Sequence, residues 1–272
     1  MRYAGPAGRM AAPPLKPIDA LAALGRLLFA LSIVFFGIQN LVDKGFVPGL
    51  ELTPEWIPGH TFWAYFMGAV LLAGGVSTAT GKQARLGAGV TGILYFMSVL
   101  LVRVPKLALI GDVGERTQLF EPLAIGCGAL VLAATLRRAH ADFRGWDNAI
   151  DKAARPARVV LGISMIVFGL DHFQVARFIA TLIPSWIPGA LFWAYFTGFG
   201  FIAAGLCIVT GRQIRWAAGL LGLMFFLWVV LLHGPRVAAS PHNGNEWNSA
   251  FVALTMCAES WILAGSGGLK DC

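Results

Sequence analysis

Charged side chains are missing from stretches of this chain about as long as a lipid bilayer is thick. Seventeen residues, Leu86 to Val102, separate Arg85 from Arg103, and the seventeen from Trp216 to Leu232 are equally uncharged. At 1.5 Å per helical residue such a run reaches about 25 Å, and flanking Arg side chains snorkel over the rest of a hydrocarbon core of about 30 Å. Thr61 to Gly81, Pro122 to Leu136, Ala190 to Gly211 and Asn248 to Gly265 are further predicted spans. Segments around Leu27–Ile38 and Val159–Leu170 bring the number to eight. Charged residues are only 13% of the 272, too few to coat soluble domains of that size. The expected class is therefore an all-α membrane protein with eight transmembrane helices, and its first partner is the lipid bilayer.

The net charge of +7 does not point to nucleic acid, because no basic stripe interleaved with aromatics accompanies it. It points to topology. If the spans alternate, 15 of the 21 Lys and Arg fall on one side: the N-terminal segment, the turns at Lys82/Arg85 and Arg212/Arg215, the central Arg137 to Arg158 and Lys270. The positive-inside rule then places both termini and the central linker in the cytoplasm of a cell carrying this protein in its inner membrane. Residues 1–17, rich in Gly, Pro and Ala, lack an unbroken apolar core before a cleavage site and read as a flexible tail. Cys127, Cys207 and Cys257 lie in apolar runs and Cys272 ends the chain; no spacing suggests a metal motif or a disulfide framework.

The chain repeats itself. Trp56-Ile-Pro-Gly-His-Thr-Phe-Trp-Ala-Tyr-Phe-Met-Gly68 returns as Trp186-Ile-Pro-Gly-Ala-Leu-Phe-Trp-Ala-Tyr-Phe-Thr-Gly198, ten of 13 positions identical at an offset of 130. Thr80-Gly-Lys-Gln83 matches Thr210-Gly-Arg-Gln213, and at the first helix the offset becomes 132, pairing Phe36-Gly37 with Phe168-Gly169. Four spans per copy is an even number, so both copies enter from the same side. This predicts two parallel-repeat four-helix bundles: residues 18–138 and 157–266, joined by a cytoplasmic linker at 139–156, with a C-terminal tail at 267–272. Gly68, Gly75, Gly198, Gly205, Gly219 and their neighbours are expected to bring helices close together.

Chemistry is concentrated in the second copy. Asp171 follows Arg158 by 13 residues, about 20 Å of helix, so Asp171 and His172 fall below the outer surface of the bilayer, where ionisable groups are costly and need partners. His233 ends the third span of this copy, Arg236 lies three residues beyond, and Asn245 and Glu246 begin the fourth. Pro184 and Pro188 break the uncharged segment after Arg177, which places Ile179 to Gly189 at the interface and makes Trp186 and Trp247 candidate aromatic walls. Three readings fit: polar pairs that pin helix ends, a pocket for a quinone or other amphipathic small molecule, or a metal site built from His172, His233 and Glu246. Glu259, near the middle of the last span, is either a hydrogen-bonded interior carboxyl or a proton-linked group.

The ordered motifs Phe168-Gly-Leu-Asp-His-Phe173, Pro184-Ser-Trp-Ile-Pro188, Phe192-Trp-Ala-Tyr-Phe-Thr-Gly198, Leu231-Leu-His-Gly-Pro-Arg236 and Asn245-Glu-Trp247 resemble DoxX-like membrane proteins over Arg158 to Gly265. The resemblance implies a four-helix membrane bundle, and the family takes its name from a membrane subunit associated with quinone-linked sulfur oxidation. The first copy departs from the pattern, with Gln39-Asn40 in place of Asp171-His172 and Arg103 in place of His233. The resemblance implies an accessory or quinone-linked membrane subunit with a redox complex as partner. The residues alone leave open a small-molecule carrier or a membrane assembly factor.

Overall fold

A computed structural model describes residues 17–51, 57–138 and 144–267. Residues 1–16 of the expected N-terminal tail, Trp56, residues 139–143 of the expected linker and the last five residues lie outside that set, and Pro17, expected in the tail, begins α1. The described residues form helices α1 (Pro17–Asp43), α2 (His60–Thr80), α3 (Ala84–Ser98), α4 (Val113–Thr135), α5 (Arg144–Gln174), α6 (Ala176–Leu182), α7 (Ala190–Thr210), α8 (Ile214–Trp228), α9 (Gly234–Ala239) and α10 (Gly244–Gly265), with no strand among them. A π turn extends α3 through Val99–Arg103, and another extends α8 through Val229–His233.

Local geometry follows the sequence repeat closely. Gly59 (φ 76°) and Gly189 (φ 73°) precede α2 and α7, and both helices run 21 residues. They end at Gly81 (φ 80°) and Gly211 (φ 77°), a left-handed stop that glycine adopts without a Cβ clash. Two residues later Gln83 and Gln213 take φ of 51° and 53°, re-aiming the chain into α3 and α8, each of 15 residues. After each π turn comes a proline, Pro105 or Pro235, which has no amide to continue the ladder. Glycine also lets α1 meet α2, where a Cβ on Gly37 would lie 2.8 Å from the Gly68 carbonyl. At the α5–α7 contact the matching distance from Gly169 to the Gly198 carbonyl is 2.7 Å. Gly219, expected to serve the same purpose, has nothing within 4 Å of its Cβ position.

The helices do not close into two self-contained bundles. Neighbours follow the order α1, α2, α3, α4, α5, α7, α8, α10, and α10 packs back on α1. Within each copy the first and last helices make at most marginal contact; α4 packs instead on α5, α10 on α1, and α4 and α10 meet in the middle. The expected pair of bundles is thus one ring in which each copy's last helix is given to the other.

Seven helices are long and apolar enough to cross a membrane among the described residues. The eighth expected span is α10, 22 residues long, which carries Asn245, Glu246, Asn248 and Glu259 and is not among the seven. Its packing explains the composition: from Thr255 to Ala264 every residue is buried, and a helix shielded by neighbours is not obliged to be apolar.

One end of the ring is held by Arg85 at the start of α3. Its Nε donates to Asp147 Oδ1 at 2.6 Å, Nη2 to Asp151 Oδ1 at 2.6 Å, and Nη1 to the Ala133 carbonyl at the end of α4 at 2.9 Å. Arg85 and Asp147 are both buried. Part of the segment expected as a linker is therefore helical, since α5 starts at Arg144, and its first turns dock on α3 and α4.

Candidate functional site

At the end of the ring opposite Arg85 lies a cavity of about 720 Å³. Its rim carries exposed Pro48, Gly114, Phe178, Asn245 and Ser249, and its depth is set by buried Phe168, Phe201, Phe225, Ala253 and Met256. Both copies contribute: the α1–α2 loop through Leu50, α4 through Gln118 and Glu121, and further residues from α5, α6, α7, α8, the π turn after α8 and α10. The volume falls within the range of about 300–1,000 Å³ typical of small-molecule sites.

Asp171 and His172 reach this cavity because α5 continues without a break to Gln174. Asp171 is held by the other copy. Arg116 of α4 donates from Nε to Asp171 Oδ1 at 2.6 Å, its Nη2 also contacts that oxygen, and Nη2 donates to Gln174 Oε1 at 2.7 Å. Asp171 Oδ2 is buried without a hydrogen-bond partner. His172 lies 5.6 Å from Trp228 in a stacked arrangement and 5.0 Å from the Phe201 ring. Its Nδ1 is 2.8 Å from the Phe168 carbonyl. Since a carbonyl only accepts, this contact puts a proton on Nδ1, and in the neutral ring Nε2 is then the acceptor.

His233 also lines the cavity. The π turn that ends at His233 adds a residue to the turn and sets the side chain against the interior, a common placement for functional residues. Its Nδ1 has no hydrogen-bond partner. Asn248, five residues after the Asn243 cap of α10, is buried with both amide atoms unpartnered.

Other expected site residues are placed elsewhere. Arg236 Nη2 donates to Glu246 Oε1 at 2.9 Å, a pair that fastens α9 to α10, and neither residue lines the cavity. Trp247 donates from its indole N–H to the Pro241 carbonyl at 2.9 Å and packs with Phe35 and Phe251, so it faces α1. Trp186 is 66% exposed in the loop after α6. His172, His233 and Glu246 do not form a metal cluster: among the described residues no three His, Cys, Asp or Glu side chains lie close enough to share an ion. Glu259 is buried away from the cavity against Gly128 of α4, with both carboxyl oxygens unpartnered.

The matching region of the first copy is filled. After α1 the chain turns at Lys44 (φ 54°) and Gly49 (φ 80°) and folds back, burying Val47, Leu50 and Glu51. Glu51 accepts from Asn40 Nδ2 at 2.6 Å and from the Tyr95 hydroxyl at 3.0 Å. Arg103 Nη2 donates to the Gly49 carbonyl at 2.9 Å. At the repeat offsets Asn40, Tyr95 and Arg103 correspond to His172, Phe225 and His233, all three of which line the cavity. Burial raises the Glu51 carboxyl to about 7, against the opposing pull of its Asn40 and Tyr95 hydrogen bonds.

The sequence pointed to Asp171, His172, His233 and Asn245, which all line the cavity, but not to Arg116, Asn248 or the rings of Phe201, Phe225 and Trp228. Arg116 carried a signal: at offset 130 it falls on Glu246, so the two copies have opposite charges at one position, as cross-copy pairing allows.

Neither a curated protein nor a solved structure matches the chain. A protein-family model, described as DoxX, matches residues 153–234, from within α5 to the start of α9. The chain thus carries a stretch similar to DoxX over residues 153–234, within a run of helices seven of which, among the described residues, are long and apolar enough to cross a membrane.

Proposed function

We propose that the cavity binds a small amphipathic molecule of the quinone type, and that the protein serves as an accessory subunit of a redox-linked membrane complex. The observation that carries this reading is the wall chemistry. Rings of Phe201, Phe225 and Trp228 flank a few polar groups, Asp171, His172, His233 and Asn248, the combination that binds a flat ring with a polar head. In this reading α10 is the eighth span, hidden from lipid, and the two copies are parallel repeats. Both termini face the cytoplasm of a cell whose inner membrane holds the protein, the side favoured by the 15 basic residues. The cavity then opens toward the outer face.

Glu259 supports a second reading, a small-molecule carrier. A carboxyl 2% exposed, with no hydrogen-bond partner, in the centre of a membrane bundle is the kind of group that couples a proton to movement of a substrate.

Mass spectrometry of the protein released gently from its membrane separates the two. Co-purifying quinone, lost on Phe225→Trp, which fills the cavity, is the expected result for the first reading. Protein free of quinone that takes up substrate in vesicles, with uptake abolished by Glu259→Gln, would replace it with the second.

A further inference from the structure

The two copies hold their polar groups in opposite senses. In the first copy the wall donates and the occupant accepts: Asn40 Nδ2 and the Tyr95 hydroxyl donate to the Glu51 carboxyl, and Arg103 donates to the Gly49 carbonyl. The loop from Lys44 to Glu51 thus acts as a built-in occupant, its apolar Val47 and Leu50 buried beside a polar head. In the second copy two of the three corresponding wall positions no longer donate into the space, while His233, in place of Arg103, keeps an N–H. Phe225 replaces Tyr95 and has no hydroxyl, and His172 spends its one N–H on the Phe168 carbonyl. His172 Nε2 is left as an acceptor.

The groups added around the cavity have the same bias. Asp171, 5% exposed, keeps Oδ2 unpartnered, and the Glu121 carboxyl lines the wall. Asn248, 6% exposed, keeps both its NH2 and its carbonyl oxygen unpartnered and so can meet a hydroxyl in either sense. Arg116, the nearest counter-charge, is committed to Asp171 Oδ1, Gln174 and the Ile110 carbonyl and does not line the cavity. Buried acceptors without donors are costly to leave unsatisfied, about 1–3 kcal/mol each in general, so an occupant that supplies N–H or O–H groups is held more tightly than one that supplies carbonyls.

We propose that the second-copy cavity selects a flat apolar ring whose head donates hydrogen bonds, a phenol or hydroquinone, over the same ring bearing carbonyls. The proposal rests on the small-molecule reading above and adds a direction to it. Phe201, Phe225 and Trp228 hold the ring, and His172 Nε2 and Asp171 Oδ2 receive the hydroxyls. For a quinone couple, the protein holds the reduced member more tightly than the oxidised one.

The test is a pair of titrations of the full-length protein in lipid nanodiscs, followed by intrinsic Trp fluorescence. The probes are a decyl-substituted benzoquinone and, under anaerobic conditions, its hydroquinone. The hydroquinone is expected to bind about tenfold more tightly, roughly the worth of one additional buried hydrogen bond. His172→Phe should weaken hydroquinone binding and leave quinone binding unchanged. Phe225→Tyr restores the donor that Tyr95 supplies in the first copy and should bring the two affinities level, which keeps the test open should His172→Phe fold poorly. Equal affinities in the wild type, or tighter quinone binding, would overturn the donor preference and leave the quinone-type reading standing. Binding of neither probe would overturn both.

Discussion

The two copies share a backbone plan and differ in what fills their polar end. In the first, the loop after α1 turns inward and seals the space with Glu51, Val47 and Leu50. In the second, the chain after α5 forms α6, which packs on α7, and a cavity of about 720 Å³ remains. A few positions account for the difference. Asn40 and Tyr95 can hold a carboxylate, whereas His172 and Phe225 cannot donate to one. The lesson is that a repeat can keep its scaffold while one copy supplies its own occupant and the other leaves room for an external one.

The inner ends differ as well, and breaking them should give the largest effect. Arg85 is buried against Asp147, Asp151 and the last carbonyls of α4, whereas its counterpart Arg215 is exposed. Arg85→Ala would leave a buried carboxylate and several carbonyls without a partner. It is expected to destabilise the fold by about 3–5 kcal/mol, while Arg215→Ala should cost under about 1 kcal/mol. Thermal unfolding in detergent compares them, and similar losses would contradict the asymmetry.

The filled end gives the next effect, and it depends on pH. Glu51 keeps its proton to about 7 in the folded protein, while the unfolded chain gives it up near the ordinary value of 4.5. The unfolded state therefore binds fewer protons between those values, and stability falls as pH rises from about 4.5 through 7 by about 3 kcal/mol. In Glu51→Gln this part of the pH dependence should vanish. An unchanged profile would show that the loop does not bury a titrating carboxyl.

Smaller again is the link between the copies at the cavity. Arg116 pairs with Asp171 across α4 and α5, but the matching positions at the α10–α1 contact are Glu246 and Gln39, which cannot form such a pair. A double-mutant cycle with Arg116→Met and Asp171→Asn is expected to return a coupling of about 1–3 kcal/mol. The same cycle on Glu246 and Gln39 should return close to zero. The least effect is expected at Trp186: removing an exposed loop indole should change stability by no more than about 0.5 kcal/mol and leave ligand titrations unaltered.

Helix positions and four cavity residues, Asp171, His172, His233 and Asn245, were legible in the sequence because they depend on local pattern. Uncharged runs mark the helices, and an Asp-His pair buried in one of them demands partners. The ring closure was not legible, since which helix α4 chooses depends on side-chain fit between segments far apart in sequence. For the same reason local spacing does not show that the partner of Asp171 is Arg116 of the other copy. Trp186 and Trp247 looked like cavity walls because they are near the polar residues along the chain. In space one is exposed in a loop and the other stacks on Phe251 toward α1. The true walls, Phe201, Phe225 and Trp228, are ordinary apolar residues inside spans and carry no sequence signal of their own. Glu51 was passed over because a lone loop carboxylate reads as solvated until the backbone turns it inward.

The central claim is that one copy is closed by its own loop and the other is open to a ligand. Native mass spectrometry of the intact protein titrated with the decyl hydroquinone tests it most directly through stoichiometry. The account predicts one bound molecule per chain, lost on Phe225→Trp. Two molecules per wild-type chain, or none, would contradict it.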